Sequence, residues 1–331
     1  MDIGDVRYEL YGLLSGNPYS SEPLNALDFE TDRELLLELR GFVRLAAVEA
    51  AVERSIREKR PAFFLITGVG RSGRTSLANH IIYLYQRTAA ADRSRFPFVV
   101  HGVERDDMTH DAYRLLRSTL LSLRNKMKSR HIRIPDELSD RFDALSLRGP
   151  ADAMDEYDLQ AIAQDTALAF ASCDAGFGVR YESVSTKKLL TQATKVFETA
   201  ATVVVFTVDT YEHADTVQLT QADRRAFARH GVVVDLNTLT PRQIAALADG
   251  RWTGQPPSPF DSKGVESAFS TRPYTIGQAM RLLEVLLDCR LVEYERDTPW
   301  PIEDLRMSES WLQLKMWQVE KWNGLRGGSH G

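Results

Sequence analysis

Short runs of apolar residues alternate along most of the chain with longer stretches whose apolar positions recur at helical spacing. The short runs have the length and the β-branched or aromatic content of buried strands, and they lie at 62–68, 96–104, 177–184, 201–210 and 231–239. The longer stretches predict helices at about 34–60, 75–87, 109–128, 159–172, 186–199 and 222–230. This alternation predicts a parallel sheet with helices on both faces.

The pattern changes after the fifth predicted strand. Thr240 followed by Pro241 is typical of a helix start, with an N-cap and a proline at the first helical position. A proline-rich linker, Gly254–Phe260, precedes further helical stretches near 262–269, 275–288 and 308–322. We therefore predict an α/β fold, in which a five-stranded, mostly parallel sheet with helices on both faces is followed by a small helical domain. The predicted units are a lead-in with one helix at 1–60, the sheet at 61–253, the helical unit at 254–325 and a polar, disordered tail at 326–331. Within them, 1–30 is expected to be loop and 135–157 to be loop with short helices.

A glycine-rich segment, GVGRSGRT at Gly68–Thr75, joins the first predicted strand to the next predicted helix. It matches the phosphate-loop pattern G-x-x-x-x-G-K-[ST] except that Arg74 replaces the lysine. In that pattern the glycines let backbone N–H groups converge on phosphate oxygens, and the final hydroxyl binds Mg²⁺. We therefore predict nucleoside-phosphate binding with Thr75 as the magnesium ligand. The residues expected to bind nucleotide are Gly68, Gly70, Arg71, Ser72, Gly73, Arg74, Thr75 and Ser76.

Arg74 weakens the expectation of catalysis. Arginine keeps the positive charge of lysine, but its guanidinium is planar and longer, and the two side chains are not interchangeable at a phosphate site. A glycine-rich turn that binds nothing is the competing interpretation. Because strand, glycines, hydroxyl and helix coincide, we expect binding, with weak or absent hydrolysis.

Composition and charge limit the classes of partner that we expect the chain to bind. The chain has 331 residues, a formal net charge of −5 and a pI of about 5.9, so no global positive field favours nucleic acid. Its most basic stretch, Arg124–Arg133, lacks interleaved aromatic residues. Cys173 and Cys289 are far apart, which argues against a zinc site or a disulfide framework. The chain has no apolar run of membrane-spanning length and no signal-peptide pattern, and we expect it to be cytoplasmic.

A phosphate-loop ATPase also needs an acidic motif at the end of a neighbouring strand, where an Asp orders magnesium and a Glu activates water. Two strands offer candidates. The third ends in Tyr181-Glu182, and the fourth ends in Asp209. If all five strands are counted, Glu182 takes the acidic place and Thr207 or Asp209 takes a polar sensor place. We favour this assignment and expect Glu182 and Asp209 to be the catalytic candidates.

Two other groups of residues are of interest. Arg224, Arg225 and Arg229 precede the fifth strand, where an arginine could reach the nucleotide of a neighbouring subunit, and we name Arg225 and Arg229 as candidate fingers. Near the carboxyl terminus an apolar stripe is formed by Trp311, Leu314, Trp317 and Trp322. We expect this stripe to pack in the core.

These features together resemble the AAA+ and STAND superfamily of P-loop ATPases. The resemblance covers roughly residues 10–290, and its specific part is GVGRSGRT. The segment 232–252 resembles the last core strand leading into the lid of such ATPases, and 259–288 resembles the lid helices. The resemblance implies Arg74 and Thr75 at phosphate and magnesium and Glu182 at the acidic motif. Three positions depart from the family: Arg74 replaces a lysine, Tyr181-Glu182 an acidic pair, and a lid arginine expected near Gly277 is missing.

The resemblance implies a regulatory protein that binds ATP or ADP with Mg²⁺. Its nucleotide state would control assembly with itself or with a protein partner. A DNA-associated ATPase of the transposition-helper or loader type is a second interpretation, which the acidic balance disfavours. A module that descends from an ATPase but binds no nucleotide is the third.

Overall fold

The computed structural model describes residues 8, 12–13, 16–20, 22–36, 38–91, 93, 96–104, 111–147, 156–210, 218–254, 257–296 and 306–327. Within these residues, five strands form one sheet: β1 Ala62–Gly68, β2 Phe98–Val103, β3 Gly176–Tyr181, β4 Val203–Asp209 and β5 Val232–Leu236. The strand order is β2-β3-β4-β1-β5, and every neighbouring pair is parallel. The carboxyl ends of the strands therefore meet at one edge, which also holds the loop after β1.

Helices cover both faces of this sheet, so the predicted fold class is confirmed. The described helices before β5 are α1 Glu30–Glu34, α2 Leu45–Glu58, α3 Arg74–Ala90, α4 Ala112–Ser129, α5 Asp136–Leu147, α6 Glu156–Ser172, α7 Lys187–Val196 and α8 Gln221–Phe227. One face packs against α2 and α3, and the other packs against α4, α6 and α7. Side chains of a strand alternate between the faces, and this alternation decides which strand-end residues can reach the loop before α3.

The chain after β5 forms a separate helical cluster, called the lid here. Its helices are α9 Pro241–Gly250, α10 Ser262–Ala268, α11 Ile276–Arg296 and α12 Glu309–Gly327, and their apolar residues share one core. The predicted start of α9 is confirmed, because the Thr240 hydroxyl accepts from the N–H of Gln243 while the Gln243 amide oxygen accepts from the N–H of Thr240. The domain boundaries themselves stay a prediction. Helix α12 enters the predicted tail, and 328–331 lie outside the described residues.

The long helix predicted over 34–60 is wrong in its first half. Helix α2 begins at Leu45, and Gly41 before it has φ +81°, a left-handed conformation that interrupts a helix. The apolar residues that fitted a helical period serve other contacts instead, since Leu39 is buried with the lid core and Phe42 packs against it. In the stretch 135–157, predicted as loop with short helices, α5 occupies twelve residues.

The residues of the predicted tryptophan stripe differ in burial. Trp311 packs against the lid core, and its indole N–H donates to Glu293 at 2.8 Å. Leu314 and Trp317 are 53% and 60% exposed, so the expectation of core packing is wrong for them. Helix α12 packs instead through Leu312 and Met316; the side chain of Trp322 lies outside the described residues. None of the described helices has the length and apolar character to cross a membrane.

The amino-terminal segment connects the two parts of the fold. Buried Tyr19 donates its hydroxyl hydrogen to the carbonyl of Ala248 in α9 at 2.6 Å. Five residues further on, the N–H of Leu24 donates to Ser76 Oγ in α3 at 3.0 Å, and its carbonyl accepts from Asn79 at 2.9 Å. The segment therefore contacts both the lid and the helix that follows the glycine loop.

Candidate functional site

The glycine loop runs from the end of β1 to the start of α3. A Cβ on Gly68 would collide with Ser72 Oγ and lie 2.9 Å from the carbonyl oxygen of Leu236, so a larger residue does not fit there. Gly73 immediately precedes α3 with φ +90°, which favours glycine. Gly70 faces open space, so its lack of a side chain leaves the loop accessible rather than relieving a clash.

Several hydrogen-bond donors at this loop have no acceptor among the described residues. The hydroxyl of Ser72 is buried without a partner, and so is Nη1 of Arg74. Because α3 begins at Arg74, its first backbone N–H groups have no intrahelical acceptor, and the amino end of the helix favours negative charge. Buried donors without acceptors are costly. A phosphate group bound here would supply acceptors, so the loop fits a nucleoside phosphate.

The other nitrogen of Arg74 is occupied. Its Nη2 donates to Asp209 Oδ2 at 2.8 Å, and both side chains are less than one-third exposed. Asp209 is the last residue of β4 and pairs in register with Gly68 at the end of β1. The structure thus brings together the substituted lysine position and one of the two predicted acidic residues.

The end of β3 is arranged differently. Tyr181 is fully buried on the α4 side of the sheet, where its ring stacks on Phe206 with centroids 5.4 Å apart. Its hydroxyl lies 3.2 Å from Thr119 Oγ1, and burial raises the pKa of this phenol well above its usual value. Tyr181 is therefore a core residue on the face away from α3, and it does not point toward the loop.

Glu182 follows on the α3 side. Its carboxylate pairs with Arg180 Nη2 at 2.7 Å, and Arg180 also donates to the side-chain oxygen of Asn79 in α3. Thr207, the proposed sensor alternative, accepts from the N–H of Ser183 at 2.9 Å and so ties the chain after β3 to β4. The two candidate acids, Glu182 and Asp209, thus lie at the same edge of the sheet, and each is paired with an arginine.

A cavity of about 350 Å³ adjoins the loop, with walls from the amino-terminal segment, the loop, α9 and α11. This volume is within the usual range of small-molecule sites. Helix α11 closes one side, because the N–H of Gly277 donates to the Arg71 carbonyl at 2.9 Å. A Cβ on Gly277 would lie 2.9 Å from Arg71 Cβ and from that carbonyl oxygen. A side chain at position 277 therefore has no room beside the loop.

The lid contributes a cation that the sequence reasoning missed. Arg251, directly after α9, lines the cavity and is only 7% exposed. Its Nε has no hydrogen-bond partner among the described residues, and burial lowers the pKa of the guanidinium to about 10. The signal was present in the sequence, because Ile244, Leu247 and Arg251 recur at i, i+3 and i+7 on the buried face of α9.

The remaining predicted nucleotide ligands have mixed environments. Thr75 is partly buried in the cavity wall, where its hydroxyl could meet a ligand. The Ser76 hydroxyl also lines the cavity, but it holds the N–H of Leu24. Arg71 adopts φ +62°, an uncommon conformation for a residue with a side chain, and its carbonyl binds α11.

Magnesium fits the described residues less well than phosphate. Mg²⁺ prefers near-octahedral oxygen ligands and usually one or two carboxylates in addition to phosphates. Here Thr75 supplies one hydroxyl, while Asp209 and Glu182 are each engaged by a guanidinium. Within the described ranges, no group of three His, Cys, Asp or Glu residues could hold a metal ion.

The three arginines before β5 differ in position. Arg224 pairs with Asp235 of β5, which also accepts a hydrogen bond from Thr67 beside the glycine loop. Arg225 and Arg229 are exposed, and Arg229 precedes β5 near the amino ends of the strands, whereas the loop lies at their carboxyl ends. Arg229 therefore lies toward the opposite end of the sheet from the loop of its own chain, and a role at the nucleotide would require a second subunit.

The basic stretch is partly engaged inside the fold. Arg124 pairs with Asp143 at 2.6 Å, and Lys126 donates to the carbonyl of Val100 at 2.6 Å. Two of its cations are therefore committed to α5 and β2. This arrangement does not strengthen the nucleic-acid interpretation.

Comparison with solved structures gives weak similarities. The chain aligns with the Aeropyrum pernix ORC2 protein in its ADPNP–ADP complexes at 12% identity and a TM-score of 0.48, covering 93% of this chain and 71% of the other. It aligns with a structure of the E. coli MS115-1 HORMA:CdnC:Trip13 complex at 10% identity and 0.45, covering 83% and 94%. For C. elegans PCH-2 the values are 12%, 0.40, 84% and 68%.

Searches by sequence find no matching protein-family model and no matching curated protein. The structural similarities are confined to an approximate chain trace. The ligands and partners named for those proteins are therefore not transferred to this site. Its function is inferred instead from the loop, the cavity and the two arginine–carboxylate pairs of this chain.

Proposed function

We propose that this chain is an AAA+/STAND-like regulatory protein that binds ATP or ADP between its sheet and its lid, with weak or absent hydrolysis. The observation that carries the proposal is the convergence of unpartnered donors, Ser72 Oγ and Arg74 Nη1, at the start of α3 in the wall of a cavity. In this arrangement the loop N–H groups and Arg74 hold the phosphates. The apolar part of the cavity, lined in part by Phe42 and Leu247, accommodates the base.

The lid gives the nucleotide a means of regulation. The Gly277–Arg71 hydrogen bond joins α11 to the loop, and Arg251 reaches the same cavity from α9. A ligand that contacts both walls stabilises one relative orientation of lid and sheet, by as much as its affinities for the two orientations differ. That orientation would control self-assembly or binding of a protein partner, and in an oligomer the exposed Arg225 and Arg229 are available to a neighbouring subunit.

The acidic groups support binding more than hydrolysis. Hydrolysis needs a group that orients or deprotonates the attacking water and stabilisation of the charge on the transferred phosphoryl group. Glu182 is held by Arg180 and Asp209 by Arg74. Because both carboxylates are engaged, we expect very slow turnover, and the protein acts as a switch rather than as a metabolic enzyme.

Thermal unfolding with and without ADP or ATP tests this proposal. Ligand at 100 times its dissociation constant stabilises a protein by about 2.7 kcal/mol, so a clear upward shift is expected for the wild type. The shift should be lost in Arg74→Ala. The matched control is Arg141→Ala, which removes an exposed arginine paired with Asp165 at 2.6 Å, outside the cavity.

Two results would contradict the proposal. Absence of a shift with every nucleotide would mean that the loop is a structural relic, and the function would then lie in protein contacts alone. An equal loss of the shift in Arg74→Ala and Arg141→Ala would mean that the loss reflects general destabilisation rather than the site.

A further inference from the structure

The guanidinium of Arg74 has two terminal nitrogens in different situations. Nη2 donates to Asp209 at 2.8 Å, whereas Nη1 is buried without an acceptor among the described residues. The side chain is only 12% exposed, so Nη1 does not reach bulk water freely. One end of the planar group is thus fixed to β4, and the other remains available beside the loop.

This geometry is specific to arginine. A guanidinium presents five N–H donors in a rigid fork, so it can hold a carboxylate with one edge and a phosphate oxygen with another. A lysine ammonium is a compact charge on a flexible stem and has no such fixed division. The substitution in the loop and the carboxylate at the end of β4 therefore form one unit.

The same unit occupies a group that a divalent cation would use. In phosphate-loop NTPases an acidic residue on a neighbouring strand holds Mg²⁺, and the metal neutralises the phosphates. In this chain Asp209 lies beside the loop but is bound to Arg74, and Glu182 is bound to Arg180. Releasing Asp209 to a metal would leave a nearly buried guanidinium without its partner, which is unfavourable.

We propose that the site binds the phosphates of a nucleotide without a divalent cation, and that Asp209 is a positioning residue for Arg74 rather than a metal ligand. The positive charge comes from Arg74 and from the amino end of α3. This inference depends on the proposed nucleotide binding. It goes further by naming the groups that neutralise the charge of the phosphates. It also gives Arg74 a role of its own, so that the arginine is more than a substitution that impairs the function of a lysine.

Calorimetric titration of the full chain with ADP, once in EDTA and once in excess Mg²⁺, is the direct test. We expect the two dissociation constants to agree within about threefold, a difference below about 0.7 kcal/mol. A wild-type protein that binds at least about tenfold more tightly with Mg²⁺ would overturn the inference and leave the proposed function intact. No binding in either medium would overturn both.

Two variants make the test independent of the wild-type result. Asp209→Asn keeps the shape and an acceptor oxygen for Arg74 but removes the charge that a metal requires. If Asp209 only positions Arg74, ADP affinity is retained in both media, with about the same dissociation constant. If Asp209 were a metal ligand, the variant would lose affinity in Mg²⁺ alone, and the inference would fail.

The second variant, Arg74→Lys, changes the arginine and keeps Asp209. It keeps the charge but not the fork, so Asp209 loses the guanidinium and a cation can compete for its carboxylate. We expect weaker binding in EDTA, by about tenfold or more, and recovery in Mg²⁺. Equal affinity of this variant in both media would contradict the role given to the guanidinium. Circular dichroism of both variants establishes that they are folded.

Discussion

The carboxyl ends of β3 and β4 lie at the same edge of the sheet, and both carry an arginine–carboxylate pair with N–O distances of 2.7 and 2.8 Å. They differ in where the arginine originates. At β4, Asp209 holds an arginine of the glycine loop. At β3, Glu182 holds Arg180 of its own strand, two residues earlier. We therefore expect loss of the first pair to affect the loop directly, and loss of the second to affect it less.

The comparison teaches that similar ion pairs on neighbouring strands can have different consequences. The pair at β4 couples the sheet to the phosphate-binding candidate. The pair at β3 contacts α3 through Asn79. It lies at a strand end where the preceding residue, Tyr181, is buried in the core. We therefore expect substitutions at the end of β4 to affect phosphate binding more than substitutions at the end of β3.

The largest effect is expected from introducing at the end of β3 the acid that the resemblance implies there. Tyr181→Asp would remove a buried, stacked ring and bury a carboxyl group, and it should lower the free energy of unfolding by about 3–5 kcal/mol. Denaturant unfolding measures this change. Tyr181→Phe, which loses only the hydroxyl contact with Thr119, should cost about 1 kcal/mol. Equal stability of the two variants would place residue 181 outside the core.

Arg251 is a buried cation without an ion pair of this kind among the described residues, and the charge of Asp32 attracts it only weakly compared with the effect of burial. Arg251→Met replaces this buried charge by an apolar side chain of similar length, and it should raise the free energy of unfolding of the ligand-free protein by about 1–3 kcal/mol. The same variant should show a smaller nucleotide-induced shift than the wild type. A destabilised variant with an unchanged shift would mean that Arg251 is structural.

Removal of each carboxylate compares the two pairs directly. Asp209→Ala leaves Arg74 unpaired and should destabilise the ligand-free protein by about 1–2 kcal/mol. Glu182→Ala breaks a pair at the end of one strand, where Arg180 still donates to Asn79, and should cost less than about 1 kcal/mol. Denaturant unfolding of both variants gives the two values. Equal losses would remove the distinction between the ends.

A similarly small effect is expected at the link between the two strand ends. Thr207→Val removes the acceptor for the N–H of Ser183 while keeping the shape of the side chain, and it should cost about 1 kcal/mol. Thr207→Ser retains the oxygen and serves as the control. If hydrolysis of ATP is detectable and falls in Thr207→Val but not in Thr207→Ser, Thr207 acts at the nucleotide and our assignment of a structural role is wrong.

Local pattern was sufficient for the fold class, because β-branched strands and the glycine loop are encoded by neighbouring residues. It was also sufficient for the start of α9, where Thr240 and Pro241 act within one turn. The sequence did not reveal that Tyr181 belongs to the core. Alternation places Tyr181 and Glu182 on opposite faces, but which face meets α3 depends on distant packing.

Two further features depend on tertiary contacts that no local pattern specifies. The period of apolar residues before α2 continued through Gly41, whose left-handed conformation became visible only in the fold. The partner of Arg74 is 135 residues away along the chain. The sequence therefore identified the candidate nucleotide-binding residues of the loop, but it did not reveal that Arg74 is paired with Asp209.

The amino-terminal segment has a consequence for the energetics of ligand binding. Tyr19 is bonded to the lid and Leu24 to α3, so separating lid from sheet must also release one end of this segment. The free energy of that release adds to the difference between closed and open populations. Measured affinity is the intrinsic affinity scaled by the population that is competent to bind. Substitutions in this segment, without touching a nucleotide, can thus adjust the concentration at which the protein responds.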